Sequence, residues 1–366
     1  MFKTLRHLRW IVVLVVIVLC LVTTENIGGE KWQVISELPT GRLAFSTAVV
    51  DGKIYLIGGT LFENENGPFG LSTVEVYDPK TNTWRRVADM PTSRAVPATA
   101  VVDNKIYVIG GYSGIDRRIV NLKNLDVVEM YDPQTDTWVM KQGMSIPRKQ
   151  FGVGVVAGKI YAIGGYVHPR DQKPGAPWRI DLVEDYDPAT DTWVKRAKMP
   201  TKRDGFGVGV VNNHIYAIGG RGWPQVGPGG PFLKVIEEYD PKINRWRQKN
   251  EMPALRLSFS TVNFGGAIYL VGGFIWQNRT PQYLATVDVY NPETDEWSDI
   301  PPMPIPLIPF SAAVVNGNIY VFGGKGENRE RFTSVMVFGM GFRAVEAVGK
   351  LSTRWGALKM EHENQP

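Results

Sequence analysis

The sequence predicts an all-β fold, a six-bladed propeller with four antiparallel strands per blade. Three observations carry this prediction. A phrase ending in two glycines occurs six times. Arg, Tyr and Trp residues keep step with it at a fixed period. No window of useful length shows the 3.6-residue periodicity of a helix.

The phrase is KIYLIGG at 53–59 and KIYVIGG at 105–111, with variants at 159–165, 214–220, 267–273 and 318–324. Its glycine pairs are Gly58-Gly59, Gly110-Gly111, Gly164-Gly165, Gly219-Gly220, Gly272-Gly273 and Gly323-Gly324, spaced 52, 54, 55, 53 and 51 residues apart. An Arg stands 16 residues before the first glycine in five copies, at Arg42, Arg94, Arg148, Arg203 and Arg256, and Leu307 takes that place in the sixth. Tyr-Asp-Pro follows the first four pairs and Tyr290-Asn291-Pro292 the fifth. Seven residues after each Tyr comes Trp84, Trp138, Trp193, Trp246 or Trp297.

Each unit reads as four short strands. In the first, strand a covers about 44–50. A two-residue turn, Asp51-Gly52, leads into strand b, KIYLI. The equivalent turns are rich in Asn, Asp and Gly, the residues a type I′ hairpin needs because both central positions take positive φ. A variable segment follows the glycines. Strand c is TVEVY at 73–77, Asp78-Pro79 opens a turn, and strand d carries Trp84.

The order Arg…Gly-Gly…Tyr…Trp at this period resembles the Kelch repeat, and residues 30–338 follow it. The WD repeat is shorter, at about 40–45 residues, and carries a different signature. The resemblance implies a Kelch-type propeller at 25–338, with 1–24 ahead of it and a C-terminal tail at 339–366.

The sixth unit lacks its own Trp, since Val345 stands in that position, while Trp32 at the other end has no unit of its own. WQVIS at 32–36 is therefore expected to supply strand d of blade six and close the ring, removing open sheet edges. The repeated Phe, Tyr and Trp are expected to pack between blades. The glycine pairs lack the Lys-Ser/Thr and the helix of a phosphate loop, so a tight backbone turn with close approach of a neighbouring strand is their expected role. The five arginines are expected to bond loop carbonyls.

Residues 1–24 combine Lys3, Arg6 and Arg9 with a 13-residue apolar run, Trp10 to Val22. That run has the length of a signal-peptide core and is short for a membrane span, so the segment reads as a signal peptide or, uncleaved, an N-terminal anchor. The chain is accordingly expected to be exported, to touch a membrane only through that segment, and to be monomeric. Cys20, the single cysteine, lies in this leader, which rules out disulfides and thiolate metal sites in the remainder. Without the three basic leader residues the formal net charge of +5 falls to +2, which gives no ground for nucleic-acid binding. No cofactor is expected.

In a four-stranded meander, the b–c and d–a connections share one face. They are the long and variable ones, so function is expected there. Trp178, Trp223 and Trp276 fall in three consecutive b–c segments, outside the register of the structural Trp residues. Arg117, Arg170, Arg221 and Arg279 lie in the b–c segments too, together with Arg118, Arg179, Arg329 and Arg331. Aromatic and Arg enrichment is the composition of interface hot spots, and it suits a protein or a glycan ligand. The other reading is that these segments simply pack on one another.

The resemblance covers binding modules, ubiquitin-ligase adaptors and a few enzymes. An adaptor role is disfavoured because no accessory helical domain accompanies the repeats. A copper radical oxidase of the galactose-oxidase kind needs a Cys–Tyr crosslink and His ligands that this sequence lacks. A sialic-acid mutarotase needs only a carboxylate and an Arg, and Glu63, Glu65, Asp116, Asp171, Glu327 or Glu330 would supply the carboxylate. The leading expectation is a non-enzymatic binding propeller, with the mutarotase as the alternative.

Overall fold

The computed structural model describes residues 31–61, 70–114, 123–168, 176, 178–223, 230–277, 280–327 and 330–339. Gly339 of the expected tail ends a strand of blade six, while residues 1–24, expected as a leader, and 340–366 lie outside the described residues. So do Arg117, Arg118, Arg170, Arg279 and Arg329, and the candidate carboxylates Glu63, Glu65, Asp116 and Asp171.

Six four-stranded antiparallel sheets form the blades. In blade one the strands run Ser46–Val50, Lys53–Ile57, Val74–Asp78 and Thr83–Val87, from the axis outward. The inner strands of the other blades are Ala98–Val102, Gly152–Val156, Gly207–Val211, Ser260–Phe264 and Ile308–Val315. Each inner strand touches the next, and the sixth touches the first, so the circle is complete. The a–b turns have positive φ at both central residues, as at Asp103 (48°) and Asn104 (58°), which is the type I′ geometry that their composition predicts.

The ring closes as expected. Trp32–Glu37 pairs antiparallel with Arg331–Gly339, with Trp32 opposite Phe338. Trp32 then behaves like the Trp of blades two, three and four. Its Nε1 donates to the Pro301 carbonyl of blade five at 2.8 Å, just as Trp138 donates to Ala88, Trp193 to Gln142 and Trp246 to Ala197.

A second bond runs beside those of Trp138, Trp193 and Trp246. Asp136, Asp191 and Asn244 sit in the c–d turns with positive φ. Their side chains accept the backbone N–H of Ala88, Gln142 and Ala197 and also the phenol O–H of Tyr131, Tyr186 and Tyr239. Both backbone groups of one residue at the end of strand d are thus captured by the next blade. The hydrophobic core consists of six clusters, each drawn from two adjacent blades; Ile109 and Val128 of blade two, for example, pack with Ile160 and Tyr186 of blade three.

The glycine pairs and the arginines belong to the same stitching. Gly58 and Gly59 have φ of 69° and 99°, a region that side chains resist. A Cβ on Gly58 would lie 2.7 Å from the Arg94 carbonyl oxygen of the next blade. That carbonyl accepts the Gly59 N–H at 3.0 Å, and the bond recurs from Gly111 to Arg148, Gly165 to Arg203 and Gly273 to Leu307.

The Arg side chains turn inward and are buried. Arg94 Nη1 donates to the carbonyls of Gly110 and Val127, and its Nη2 meets Glu129 at 2.6 Å. Arg42–Glu75, Arg148–Glu184, Arg203–Glu237 and Arg256–Asp288 repeat the pair. Carbonyl bonding is as expected from the sequence, whereas the carboxylate two residues before each Tyr is a finding of the structure. In blade six, Leu307 and Met336 occupy the two positions, both fully buried in one apolar cluster.

One expectation needs correction. Strand a of blade one starts at Ser46, and the residues before it form a separate ribbon with the start of the b–c segment: Arg42–Leu43 with Thr60–Leu61. An equivalent ribbon joins Arg203–Asp204 to Arg221–Gly222, and in blade five, where Leu257 bridges Phe274, the b–c segment itself forms a hairpin of Phe274–Gln277 with Thr280–Tyr283. The segments expected to be wholly loop are therefore anchored at their roots by pairing too short to leave a periodicity in sequence.

Candidate functional site on the loop face

The ribbons place two residues of every blade at equivalent positions on the loop face, one just after the register Arg and one just after the second glycine. The pairs are Leu43 with Thr60, Ala95 with Tyr112, Lys149 with Tyr166, Asp204 with Arg221, Leu257 with Phe274 and Ile308 with Lys325. Five of these positions in blades two to four, Tyr112, Lys149, Tyr166, Asp204 and Arg221, are aromatic or charged. Blades five, six and one bring three aliphatic residues, Leu257, Ile308 and Leu43, with Phe274, Lys325 and Thr60 as their aromatic, charged and polar members. A six-fold scaffold thus carries aromatic and charged residues weighted toward blades two to four.

Lys149 is its centre. The Nζ lies 4.2 Å from the centroid of the Tyr112 ring in blade two and 5.3 Å from that of Tyr166 in its own blade. Burial pushes the Lys149 amine below its ordinary value; Asp204 opposes that shift and Arg221 adds to it. Burial also pushes the Tyr112 phenol up to about 12, so the ring that Lys149 faces stays neutral at physiological pH. Tyr166 meets Trp178 edge to face, with centroids 6.4 Å apart. The buried Asn124 of blade two donates to the Tyr166 carbonyl at 3.2 Å.

Asp204 is fully buried and accepts from two arginines. Arg179 Nε, from the b–c segment of blade three, reaches it at 2.8 Å. Arg221 approaches with Nε at 3.2 Å and Nη2 at 3.1 Å. The Arg221 Nη2 also lies 3.5 Å from Gln150 Oε1. Gln150 itself takes a positive φ of 53°, and its carbonyl accepts the Gly205 N–H of the next blade at 2.9 Å. Asp204 and its arginines therefore tie blades three and four together beneath the arc.

The residues singled out by sequence fare differently. Trp178 stands in the arc, 37% exposed, against Tyr166. Trp223 follows Arg221 at the root of the next segment and is half-buried. Trp276 is 51% exposed but sits on the ribbon of blade five beside Phe274, among that blade's own aromatic residues. Arg221 joins the arc, and Arg179, expected to lie open in a loop, is buried against Asp204. His168 lies at the start of the same b–c segment, and His214 lies in an a–b turn and bonds the Asn212 carbonyl.

Sequence reasoning missed Lys149, Tyr112, Tyr166 and Asp204. The signal was available in the register, because comparing the residue after each Arg and after each glycine pair exposes the odd blades. Among the described residues no group of three or more His, Cys, Asp and Glu is placed to hold a metal. No helix among them is long and apolar enough to cross a membrane.

Comparison with known proteins agrees with this architecture. The FKB95 Kelch-repeats domain matches residues 30–167, and the Kelch motif matches 147–200, 202–253 and 255–304. Human Kelch-like protein 23 is 30% identical over 83% of this chain and 49% of its own length. Mouse Kelch-like protein 36 is 27% identical over 85% of this chain and 48% of its own. The chain thus spans about half the length of the curated relatives it matches. The solved structure of YjhT superposes with a TM-score of 0.68 at 15% identity, covering 85% of this chain and 98% of that one, a likeness of fold. On the repeats, the closed six-bladed ring and these matches together, the chain belongs to the Kelch-repeat family.

Proposed function

We propose that this propeller is a protein-interaction module that takes a peptide segment of its partner on the loop face over blades two to four. One observation carries the reading: five of the six ribbon positions in blades two to four are aromatic or charged, against two of six, Phe274 and Lys325, in blades five, six and one. Nothing in the stitching of the blades calls for Tyr112, Lys149 or Trp178, so their presence has to be explained by what they meet. Exposed Trp beside Tyr and Arg is the composition of binding hot spots.

Asp204, the carboxylate of the arc, already accepts from two guanidinium groups, which favours a structural and electrostatic role over acid–base chemistry. The leader at 1–24 supports a place of action outside the cytoplasm.

The test is selection of a random peptide library on the immobilised protein, with a glycan array in parallel. Peptides selected on the wild type should lose about ten-fold in affinity or more on Trp178→Ala or Trp223→Ala. Binding that survives both substitutions, or a protein that binds glycans and no peptide, overturns the reading.

A further inference from the structure

We infer that the space around the Lys149 ammonium, walled by Tyr112 and Tyr166 and bordered by Arg221, is a carboxylate subsite that anchors an acidic group of the bound peptide. The inference rests on the peptide-binding reading above and names the chemistry of its anchor.

The scaffold has no use for a cation here. At the position of Lys149, the other blades carry Leu43, Ala95, Asp204, Leu257 and Ile308, and the blade-to-blade bonds are made whichever residue is present. The ammonium is half-buried, yet its contacts are two ring faces, at 4.2 and 5.3 Å, and it makes no hydrogen bond to a described residue. An ammonium carries three donors, and ring faces attract its charge without accepting those protons in the way an oxygen does.

The nearby carboxylate does not fill this need, because Asp204 is engaged at both oxygens by Arg179 and Arg221. Among the described residues, Asp204 is thus already bonded to two guanidinium groups. Burial, with a smaller push from Arg221, lowers the Lys149 amine, and an incoming carboxylate would oppose that shift.

The shape of the surroundings selects among anions. One compact ammonium between two neutral aromatic faces suits a planar carboxylate whose apolar stem lies on Tyr166 and Trp178. Arg221, with 34% of its side chain exposed, borders the site while holding Asp204. A phosphate dianion asks for more free donors than this arrangement offers. Two peptide sources share the carboxylate chemistry, an internal Asp or Glu side chain and a free C-terminus.

The experiment uses the selected peptides as probes. Each is synthesised with its acids intact, with Glu→Gln and Asp→Asn changes, and as C-terminal acid or amide, and titrated by fluorescence polarisation. Wild type should lose about ten-fold or more when the anchoring carboxylate is neutralised. The substitution or the amidation, whichever produces the loss, identifies the source. Lys149→Met should bind acid and amide forms within about two-fold of each other, while Lys149→Arg keeps the preference. Lys149→Gln serves as the second variant if Met disturbs folding, and melting temperature reports on both.

An acid preference that persists in Lys149→Met and Lys149→Gln overturns the subsite, as does tighter binding of phosphoserine peptides than of glutamate peptides. If Trp178→Ala weakens binding and the Lys149 variants do not, the subsite alone fails. If none of these changes affects binding, the peptide-binding face fails with it.

Discussion

Arg94 and Glu129 form a buried pair whose apolar replacement already exists in another blade of the same molecule. Both side chains are fully buried, and they meet at 2.6 Å. Burial alone pulls the Arg94 guanidinium down from its ordinary value, and Glu129 pulls it back. Replacing Glu129 by Met strands a charged guanidinium in the core, at a cost of about 3–5 kcal/mol. Replacing Arg94 by Leu strands the carboxylate and also strips the donor from the Gly110 and Val127 carbonyls, so it should cost at least as much.

The double substitution recreates the Leu307–Met336 pair of blade six. It leaves the Gly110, Val127 and Thr92 carbonyls short of a donor and the Thr92 hydroxyl short of an acceptor, for a loss of about 2–4 kcal/mol. Coupling between the two sites of at least about 2 kcal/mol is therefore expected. With an unfolding entropy of about 2.1 cal/mol/K per residue over the ring, each single change should lower Tm by about 5–8 °C in thermal unfolding followed by circular dichroism. Additive losses, or singles that leave Tm in place, would refute the claim that the pair acts as a buried unit.

Three other outcomes follow from the stitching of the ring. A chain starting at Leu38, without the strand Trp32–Glu37, should leave the strand Arg331–Gly339 as an open edge and aggregate on size-exclusion chromatography; an unchanged monomer peak would contradict closure. Gly111→Ala, with φ at 91° and a Cβ 2.6 Å from the Ala95 carbonyl, should cost about 2 kcal/mol or more. Gly158→Ala, with no atom within 4 Å, should cost about 1 kcal/mol, and equal costs would deny the close approach. Asp136 and Asp191 are held below their ordinary value, chiefly by the Tyr131 and Tyr186 hydroxyls and then by a backbone N–H. Their contribution is present above the unfolded value near pH 4 and is lost as pH falls through the lower folded value. Asp136→Asn with Asp191→Asn, the residue already used at Asn244, should therefore flatten the acid limb of a Tm–pH curve; an unchanged limb would sink this assignment.

Much of this architecture was legible because the repeat supplies its own comparison. The six glycine pairs, the Tyr–Trp spacing and the Asn, Asp and Gly turns each constrain backbone geometry locally, so blade count, strand order and the closing role of Trp32 could be read directly. The partners of the arginines were less visible. Glu129 lies 35 residues beyond Arg94, on a strand where alternation marks it as just another position.

The candidate site was half legible. Trp178 and Arg221 stood out as exceptions to the repeat, whereas Lys149 hid beside an Arg that obeyed it. What the sequence lacks is the ribbon pairing, since a two-residue ladder such as Arg203–Asp204 with Arg221–Gly222 is set by the blades that hold it and not by its own composition.

Hydrogen–deuterium exchange of the protein with and without a selected peptide tests the central claim most directly. The account predicts slowed exchange in peptides covering 112–114, 149–150, 166–168, 178–180 and 221–223, with the a–b turns of the opposite face unchanged. Protection centred on those turns, or spread evenly over all six blades, would contradict a one-sided site on blades two to four.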